Sequence, residues 1–143
     1  MRITVLGAGL IGRVVARELA SEQETMVSVF DADEAALERV GRSTHASVYV
    51  ADLSRTDAVT AAVSEADAVV GALPGALGFS MLRAVIEAGK PIADISFSAE
   101  DPLQLEALAF ERGATKTPPP TSSGVSSKKP PSRSISIFSA WPG

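Results

Sequence analysis

The run Ile3-Thr4-Val5-Leu6-Gly7-Ala8-Gly9-Leu10-Ile11-Gly12 decides the fold. A short, strand-forming stretch leads directly into three glycines spaced Gly-x-Gly-x-x-Gly, and from Leu10 the apolar residues recur at helical spacing through Val14, Val15 and Leu19. In a strand–turn–helix of this kind each glycine has its own reason. Gly7 allows the tight turn out of the strand, Gly9 lets the backbone approach a pyrophosphate, and Gly12 lets the helix lie close on the sheet. A phosphate against the first turn of the helix meets unpaired amides and the positive end of the helix dipole, so no side-chain cation is required. The expectation is a dinucleotide-binding turn.

Downstream, strand-length apolar runs alternate with helical segments, the pattern of a parallel sheet covered on both faces. Five units are expected, with strands at about 2–6, 26–30, 47–50, 68–72 and 91–95. The intervening helices carry Ala36, Leu37 and Val40, then Val59, Ala62 and Val63, then Leu77, Met81, Leu82, Val85 and Ile86. A last helix is expected over about 100–112, with Gly113 placed to end it. The fold class is α/β: a Rossmann-type, doubly wound parallel sheet of about five strands, truncated before the sixth.

Asp31 stands 19 residues beyond Gly12 at the tip of the second strand, where the adenosine ribose of a dinucleotide would rest. A carboxylate there accepts from both ribose hydroxyls. A 2′-phosphate in the same place would set like charges roughly 4 Å apart, at a cost of about 4 kcal/mol near a protein surface. NAD is therefore expected over NADP; Arg39 and Arg42 are the nearby cations that would offset the repulsion, and Asp33 reads as a helix cap. Asp52 and Leu53 end the third strand at the corner bordering the adenine, Asp52 as acceptor from the exocyclic amine and Leu53 packed on the ring; a capping aspartate is the competing reading. Gly71-Ala72-Leu73-Pro74-Gly75 would pass under the pyrophosphate and the nicotinamide ribose.

Composition narrows the chemistry. The 143 residues suit one domain, and a 45% hydrophobic content suffices for a core. With no cysteine, disulfides, thiolate catalysis and cysteine-ligated zinc are excluded, and the one histidine, His45, lies in a polar loop and reads as solvated. No metal site is expected. Residues 1–113 carry all 17 acidic side chains, against nine basic ones, which argues against a nucleic-acid platform. No run approaches membrane-spanning length and no targeting segment is evident, so a cytoplasmic location is expected. Asp94 and Ser96 stand at the carboxyl end of the fifth strand, either touching ligand or making a local turn. No nucleophile, base and orienting acid fall into a plausible arrangement, so catalytic residues stay unassigned.

From Thr115 the pattern changes. The last 29 residues hold six of the nine prolines and eight serines, with Lys116, Lys128, Lys129 and Arg133 and no acid. Such a segment buries too little to offset its ordering entropy, so 1–113 is expected to be the dinucleotide-binding domain and 114–143 a disordered basic tail. Lys116-Thr117-Pro118-Pro119-Pro120 cannot supply a further central strand, because proline lacks the amide hydrogen a ladder needs. The fifth strand then becomes an exposed edge, which favours self-association; Ile135-Ser136-Ile137 is the one later stretch able to cover it.

The opening Val5 to Gly12, the Asp52-Leu53 corner, Gly71-Ala72-Leu73-Pro74 and the run Ala88-Gly89-Lys90-Pro91-Ile92-Ala93-Asp94-Ile95-Ser96 resemble the saccharopine dehydrogenase family, especially its lysine 6-dehydrogenase-like members. The resemblance covers about residues 1–113. It implies a nicotinamide-dependent oxidoreductase acting on a carbon–nitrogen bond of an amino acid. It also implies roles: Gly7, Gly9, Leu10, Ile11 and Gly12 on the pyrophosphate, Asp31 on the ribose, Asp52 and Leu53 at the adenine, and Ala72, Leu73 and Pro74 on the nicotinamide side. Relatives continue after the Gly-Ala-Thr at 113–115 into another strand and a substrate domain. On that comparison the chain is expected to be a cofactor-binding half without efficient catalysis, its ending a frameshifted terminus of a longer gene. The competing readings are a regulatory nucleotide-sensing domain, whose beginning reads much like Met1 to Asp31 but which does not usually carry Ala-Leu-Pro after the fourth strand, and a non-functional truncated product.

Overall fold

A computed structural model describes residues 1–96 and 99–115. The elements alternate without exception along the first five units: β1 (Arg2–Leu6), α1 (Leu10–Ala20), β2 (Met26–Asp31), α2 (Glu34–Ser43), β3 (Ser47–Val50), α3 (Thr56–Val63), β4 (Ala68–Gly71), α4 (Gly75–Glu87) and β5 (Ile92–Asp94). All neighbouring strands pair in parallel, in the order β3-β2-β1-β4-β5. The order reverses direction at β1, so the carboxyl ends of β1 and β4 flank the crevice where open α/β sheets take ligands.

Central strands in such a sheet are buried on both faces, and in β1 only Arg2 is exposed, while Ile3, Thr4, Val5 and Leu6 are buried. Val5 packs with Ala16, Val27, Val29, Ala36, Leu37 and Val40 beneath α1 and α2. Its neighbour Leu6 joins Val59, Val63, Val69, Met81, Val85 and Ile92 on the opposite face, beneath α3 and α4. The edge strand β3 behaves differently, for all four of its residues are exposed, and Tyr49 is held mainly by stacking on Phe30 with ring centroids 4.9 Å apart.

The last expected helix forms as two pieces, a 3-10 turn at Pro102–Leu105 and α5 at Glu106–Glu111. Pro102 sits at the first position of the turn, where its missing amide hydrogen costs nothing, and Asp101 caps it by accepting from the Leu103 amide at 3.0 Å. Gly113 ends α5 as expected. With φ at +72° it turns the chain so that its own amide reaches Phe110 O and the Ala114 amide reaches Ala109 O, the paired bonds of a Schellman motif. Gly89 ends α4 the same way, with bonds from Gly89 N to Ile86 O and from Lys90 N to Val85 O. Ala114 is buried, so the described fold reaches Thr115. The expectations for residues 116–143, including the tail and the stretch at 135–137, lie outside the described residues.

Among the described residues, no helix is long and apolar enough to cross a membrane, and no group of three or more His, Asp or Glu side chains is placed to hold a metal ion.

Candidate functional site

Gly7 carries the turn after β1. Its φ of +110° is open only to glycine, and a Cβ there would lie 2.5 Å from the carbonyl oxygen of Ala72, so the turn presses against the end of β4. Gly12 lets α1 start directly above this turn, since a Cβ would stand 2.0 Å from Gly7 O. Gly9 differs from both: nothing lies within 4 Å of the position its Cβ would take. The missing side chain at Gly9 opens onto free space, whereas those at Gly7 and Gly12 make room for protein.

Gly9 is the N-cap of α1, and no side chain caps the helix. The first intrahelical bond runs from Arg13 N to Gly9 O, leaving the amides of the first turn pointing outward. Leu10 and Ile11 beside them are 75% and 54% exposed, a large apolar surface for the first turn of a helix otherwise docked on the sheet. The N-terminus of α4 is likewise uncapped by any side chain, with Pro74 as N-cap.

These pieces meet in one cleft of about 560 Å³ along the carboxyl edge of the sheet. It is lined by Gly7, Gly9, Leu10 and Ile11 from the first turn, by Asp31 and Ala32 after β2, and by Asp52, Leu53 and Ser54 after β3. Ala72, Leu73, Pro74, Gly75 and Leu77 line it after β4, and Ile95 and Ser96 after β5. Ten of the eleven residues to which the resemblance gives a cofactor role thus share one surface, and Gly75 and Ser96 join them; the eleventh, Gly12, lies behind the turn and contributes packing, and Gly71 and Asp94 do not line the cleft. Sequence reasoning did not single out Ala32 or Ser54, whose only signal is adjacency to the strand ends, and it placed Leu77 on the apolar face of the fourth helix without giving it a place in the cleft. With strands about 4.8 Å apart, the cleft runs about 19 Å from β3 to β5.

Asp31 is fixed from two sides. Its Oδ2 accepts from the Ala8 amide at 2.6 Å and its Oδ1 from the Asp33 amide at 2.8 Å. Asp33 is the cap of α2, accepting from the amides of Ala35 and Ala36. Asp52 also lines the cleft, but its Oδ1 is taken locally by the Ser54 hydroxyl at 2.6 Å and the Ser54 amide at 3.1 Å. Those bonds, with Arg55 nearby, hold the exposed Asp52 carboxyl below its ordinary range. Asp52 is not the cap of α3, a position held by Arg55. Leu53 is buried against the core while still bordering the cleft.

Arg39 and Arg42 do not reach this surface. They line a separate groove between α1 and α2 with Arg13 and Arg17, and Arg42 is paired with Glu38 one helical turn back. The cleft is therefore lined by two carboxylates, Asp31 and Asp52, and by no lysine or arginine among the described residues. His45 is exposed and borders a cavity that it shares with Arg2 and Thr25, residues that flank the opposite ends of the strands.

Ser96 closes the β5 end. Its hydroxyl donates to Asp94 Oδ2 at 2.7 Å and lies 2.9 Å from Oδ1, and its amide donates to Oδ1 at 3.1 Å. Burial pushes the Asp94 carboxyl above its ordinary value, against the opposing effect of the Ser96 bonds.

The arrangement suits an extended, two-headed anion: a preorganised acceptor at one end, outward amides at a helix N-terminus in the middle, and small residues beneath the other end. Comparison with known proteins agrees. A family model described as the saccharopine dehydrogenase NADP binding domain matches residues 3–117. No curated protein matches the chain in sequence. Among solved structures, the apo saccharopine dehydrogenase (L-Glu forming) of Saccharomyces cerevisiae is 18% identical with a TM-score of 0.71, over 80% of this chain and 26% of that one. The scyllo-inositol dehydrogenase of Lactobacillus casei, solved with NAD(H) and scyllo-inositol, is 19% identical with a TM-score of 0.63, over 78% of this chain and 33% of its own. The WlbA dehydrogenase of Bordetella pertussis, in complex with NADH and UDP-GlcNAcA, is 19% identical with a TM-score of 0.54, over 79% of this chain and 32% of that one. At these identities the likeness concerns the fold, and the chain spans a third or less of each of these proteins.

Proposed function

The chain belongs to the saccharopine dehydrogenase NADP-binding-domain family, and from that premise we propose that its cleft holds a pyridine dinucleotide, NAD in preference to NADP, for an oxidoreductase acting on a carbon–nitrogen bond of an amino acid. One observation carries the reading: the first-turn residues Gly7, Gly9, Leu10 and Ile11 line the same cleft as Asp31, Asp52 and the Ala72-Leu73-Pro74 turn.

The residues divide the cofactor among them. Outward amides at the start of α1 take the pyrophosphate, and the open space at Gly9 lets it approach the backbone. Asp31 takes the adenosine ribose, its carboxylate already oriented by Ala8 and Asp33. Leu53 and the exposed side chains of Leu10 and Ile11 supply apolar cover. Ala72, Leu73 and Pro74 lie under the nicotinamide half. Asp52 borders the adenine, its Oδ1 committed to Ser54 and its Oδ2 left to accept from an exocyclic amine. When bound, the nicotinamide supplies a hydride acceptor or donor.

The preference for NAD rests on charge. A 2′-phosphate would sit against the Asp31 carboxylate, and the arginines close to it in sequence face another groove. Hydride transfer needs substrate fixed over the cofactor at close range; these residues supply the cofactor-holding part of that arrangement, with an amino acid as the substrate of the reaction it serves.

Calorimetric titration of the folded chain with NAD and NADP in parallel tests this. Tighter binding of NAD is the expected result. Failure of a cooperatively melting chain to bind either dinucleotide would overturn the proposal, and tighter binding of NADP would overturn the role given to Asp31.

A further inference from the structure

The pair Asp94–Ser96 has an unusual setting for a turn at the end of an edge strand. Asp94 is the register partner of Gly71 on β4, and its carboxylate leans into the space that a side chain at Gly71 would fill: a Cβ there would lie 2.6 Å from Asp94 Oδ1 and 2.5 Å from the methyl of Met81. The sheet thus leaves a slot for a half-buried carboxylate. That carboxylate in turn holds Ser96, a residue lining the cleft, by both its hydroxyl and its amide.

A serine hydroxyl has one proton and two lone pairs. With the proton committed to Asp94, Oγ has only acceptor capacity left for anything in the cleft. The order of strands identifies what would lie there. Asp31 and Asp52 mark the β2 and β3 side and the glycine turn marks the centre, so Ser96 stands at the end farthest from the adenosine ribose. Resting on the reading that the cleft holds a pyridine dinucleotide, we propose that Ser96 Oγ accepts a hydrogen bond from the carboxamide NH2 of the nicotinamide. Asp94 acts as a positioning residue that keeps Oγ an acceptor. The pair makes the site select a carboxamide over a carboxylate on the pyridine ring, because a carboxylate has no hydrogen to give and would meet an oxygen lone pair with Asp94 behind it.

Three probes separate this from the underlying reading: NAD, its deamido analogue bearing a nicotinic acid ring, and ADP-ribose, which lacks the ring. Titration of the whole chain should show NAD bound more tightly than the deamido analogue. Ser96→Ala, which keeps the backbone amide bond to Asp94, should weaken NAD on the order of 3- to 10-fold while leaving ADP-ribose unchanged and the preference against the deamido analogue largely lost. Ser96→Thr should restore it. Asp94→Asn, which can donate to Oγ and free the serine proton, should shrink the same preference without altering ADP-ribose binding. Equal affinity of the wild-type chain for NAD and its deamido analogue would overturn the proposal even if no variant folds, as would equal weakening of all three ligands in Ser96→Ala. Failure of folded wild-type protein to bind ADP-ribose and NAD alike would instead overturn the dinucleotide reading of the cleft, and the role of Ser96 with it.

Discussion

The amide of Ala8 donates to Oδ2 of Asp31 at 2.6 Å, tying the glycine turn after β1 to the tip of β2. Asp33 occupies one site on the other oxygen at 2.8 Å. A carboxylate has about four acceptor sites, so each oxygen keeps one free for a ribose hydroxyl, in an orientation already fixed. The same carboxylate therefore serves the fold and the ligand. Asp31→Ala should weaken NAD by about 1.5–3 kcal/mol, the range for hydrogen bonds to a charged group, and should strengthen NADP, whose 2′-phosphate no longer faces a carboxylate. It should also lower stability by about 1–3 kcal/mol, because the Ala8 amide loses its acceptor. Titration and thermal melts of the variant measure the two effects separately, and equal weakening of both dinucleotides would remove Asp31 as the discriminator.

How much of this was legible beforehand depends on whether a feature is local. The turn at Gly7, the alternation of five strands and helices, the cap at Asp33 and the stop at Gly113 each follow from residues within a few positions of one another, and all are found. The start of the last helix is local as well, marked by Asp101 as cap and Pro102 at the first position, whereas its division into a 3-10 turn and α5 has no such marker. The failures of legibility are tertiary. That Arg39 and Arg42 face away from the cleft depends on the roll of α2 against α1. That Gly71 makes room for Asp94 depends on the β4–β5 register. The engagement of Asp52 by Ser54 is instead local, an Asp-x-Ser turn in which the carboxylate accepts from the Ser54 amide and hydroxyl two residues on.

Lys90 supplies a tie remote from the cleft. Its ammonium donates to the carbonyl oxygens of Ser64 and Ala66, both at 2.9 Å, joining the loop before β5 to the residues just after α3. A cation at those carbonyls also complements the negative end of the helix dipole. Lys90→Met keeps much of the aliphatic stem and removes both bonds, so a loss of about 1–3 kcal/mol is expected in denaturant unfolding. Cofactor affinity should not change, because Ser64 and Ala66 border the cavity at the opposite end of the sheet. A parallel fall in NAD affinity would show that the two ends are coupled.

Asp94 gives the fold a pH dependence opposite to that of Asp67. Burial raises its folded value above the ordinary 3.8 or so, so between those values the folded chain binds more protons than the unfolded one. Its contribution to stability therefore falls as pH rises through that interval, and the cost of ionising it persists at neutral pH. Asp67, held low chiefly by the Arg2 amide, runs the other way and contributes less as the solution is acidified. Melts of wild type and Asp94→Asn from pH 3.5 to 7 isolate the buried group: the variant should gain relative to wild type as pH rises. A difference in melting temperature that is flat across the range would show that Asp94 titrates as an ordinary surface carboxylate.

The three glycines of the first turn should separate by phenotype, because they are small for different reasons. At Gly12 an added methyl would stand 2.0 Å from Gly7 O, a backbone atom that cannot yield without moving the turn. Gly12→Ala should therefore destabilise the fold by about 1–3 kcal/mol or more, as overpacking does, with any loss of binding secondary. At Gly7 a positive φ of 110° adds strain to the 2.5 Å approach of Ala72 O, so Gly7→Ala should be no milder. Gly9→Ala meets nothing within 4 Å and retains an ordinary φ of −64°. Its melt should shift by less than about 1 kcal/mol, the difference between glycine and alanine as an N-cap. The new methyl would nevertheless stand in the space a pyrophosphate needs, so NAD binding should fall at least tenfold, an effect of about 1.4 kcal/mol or more. A well-folded Gly9→Ala chain that binds NAD as tightly as wild type would place the pyrophosphate elsewhere and remove the phosphate-binding role of the α1 N-terminus.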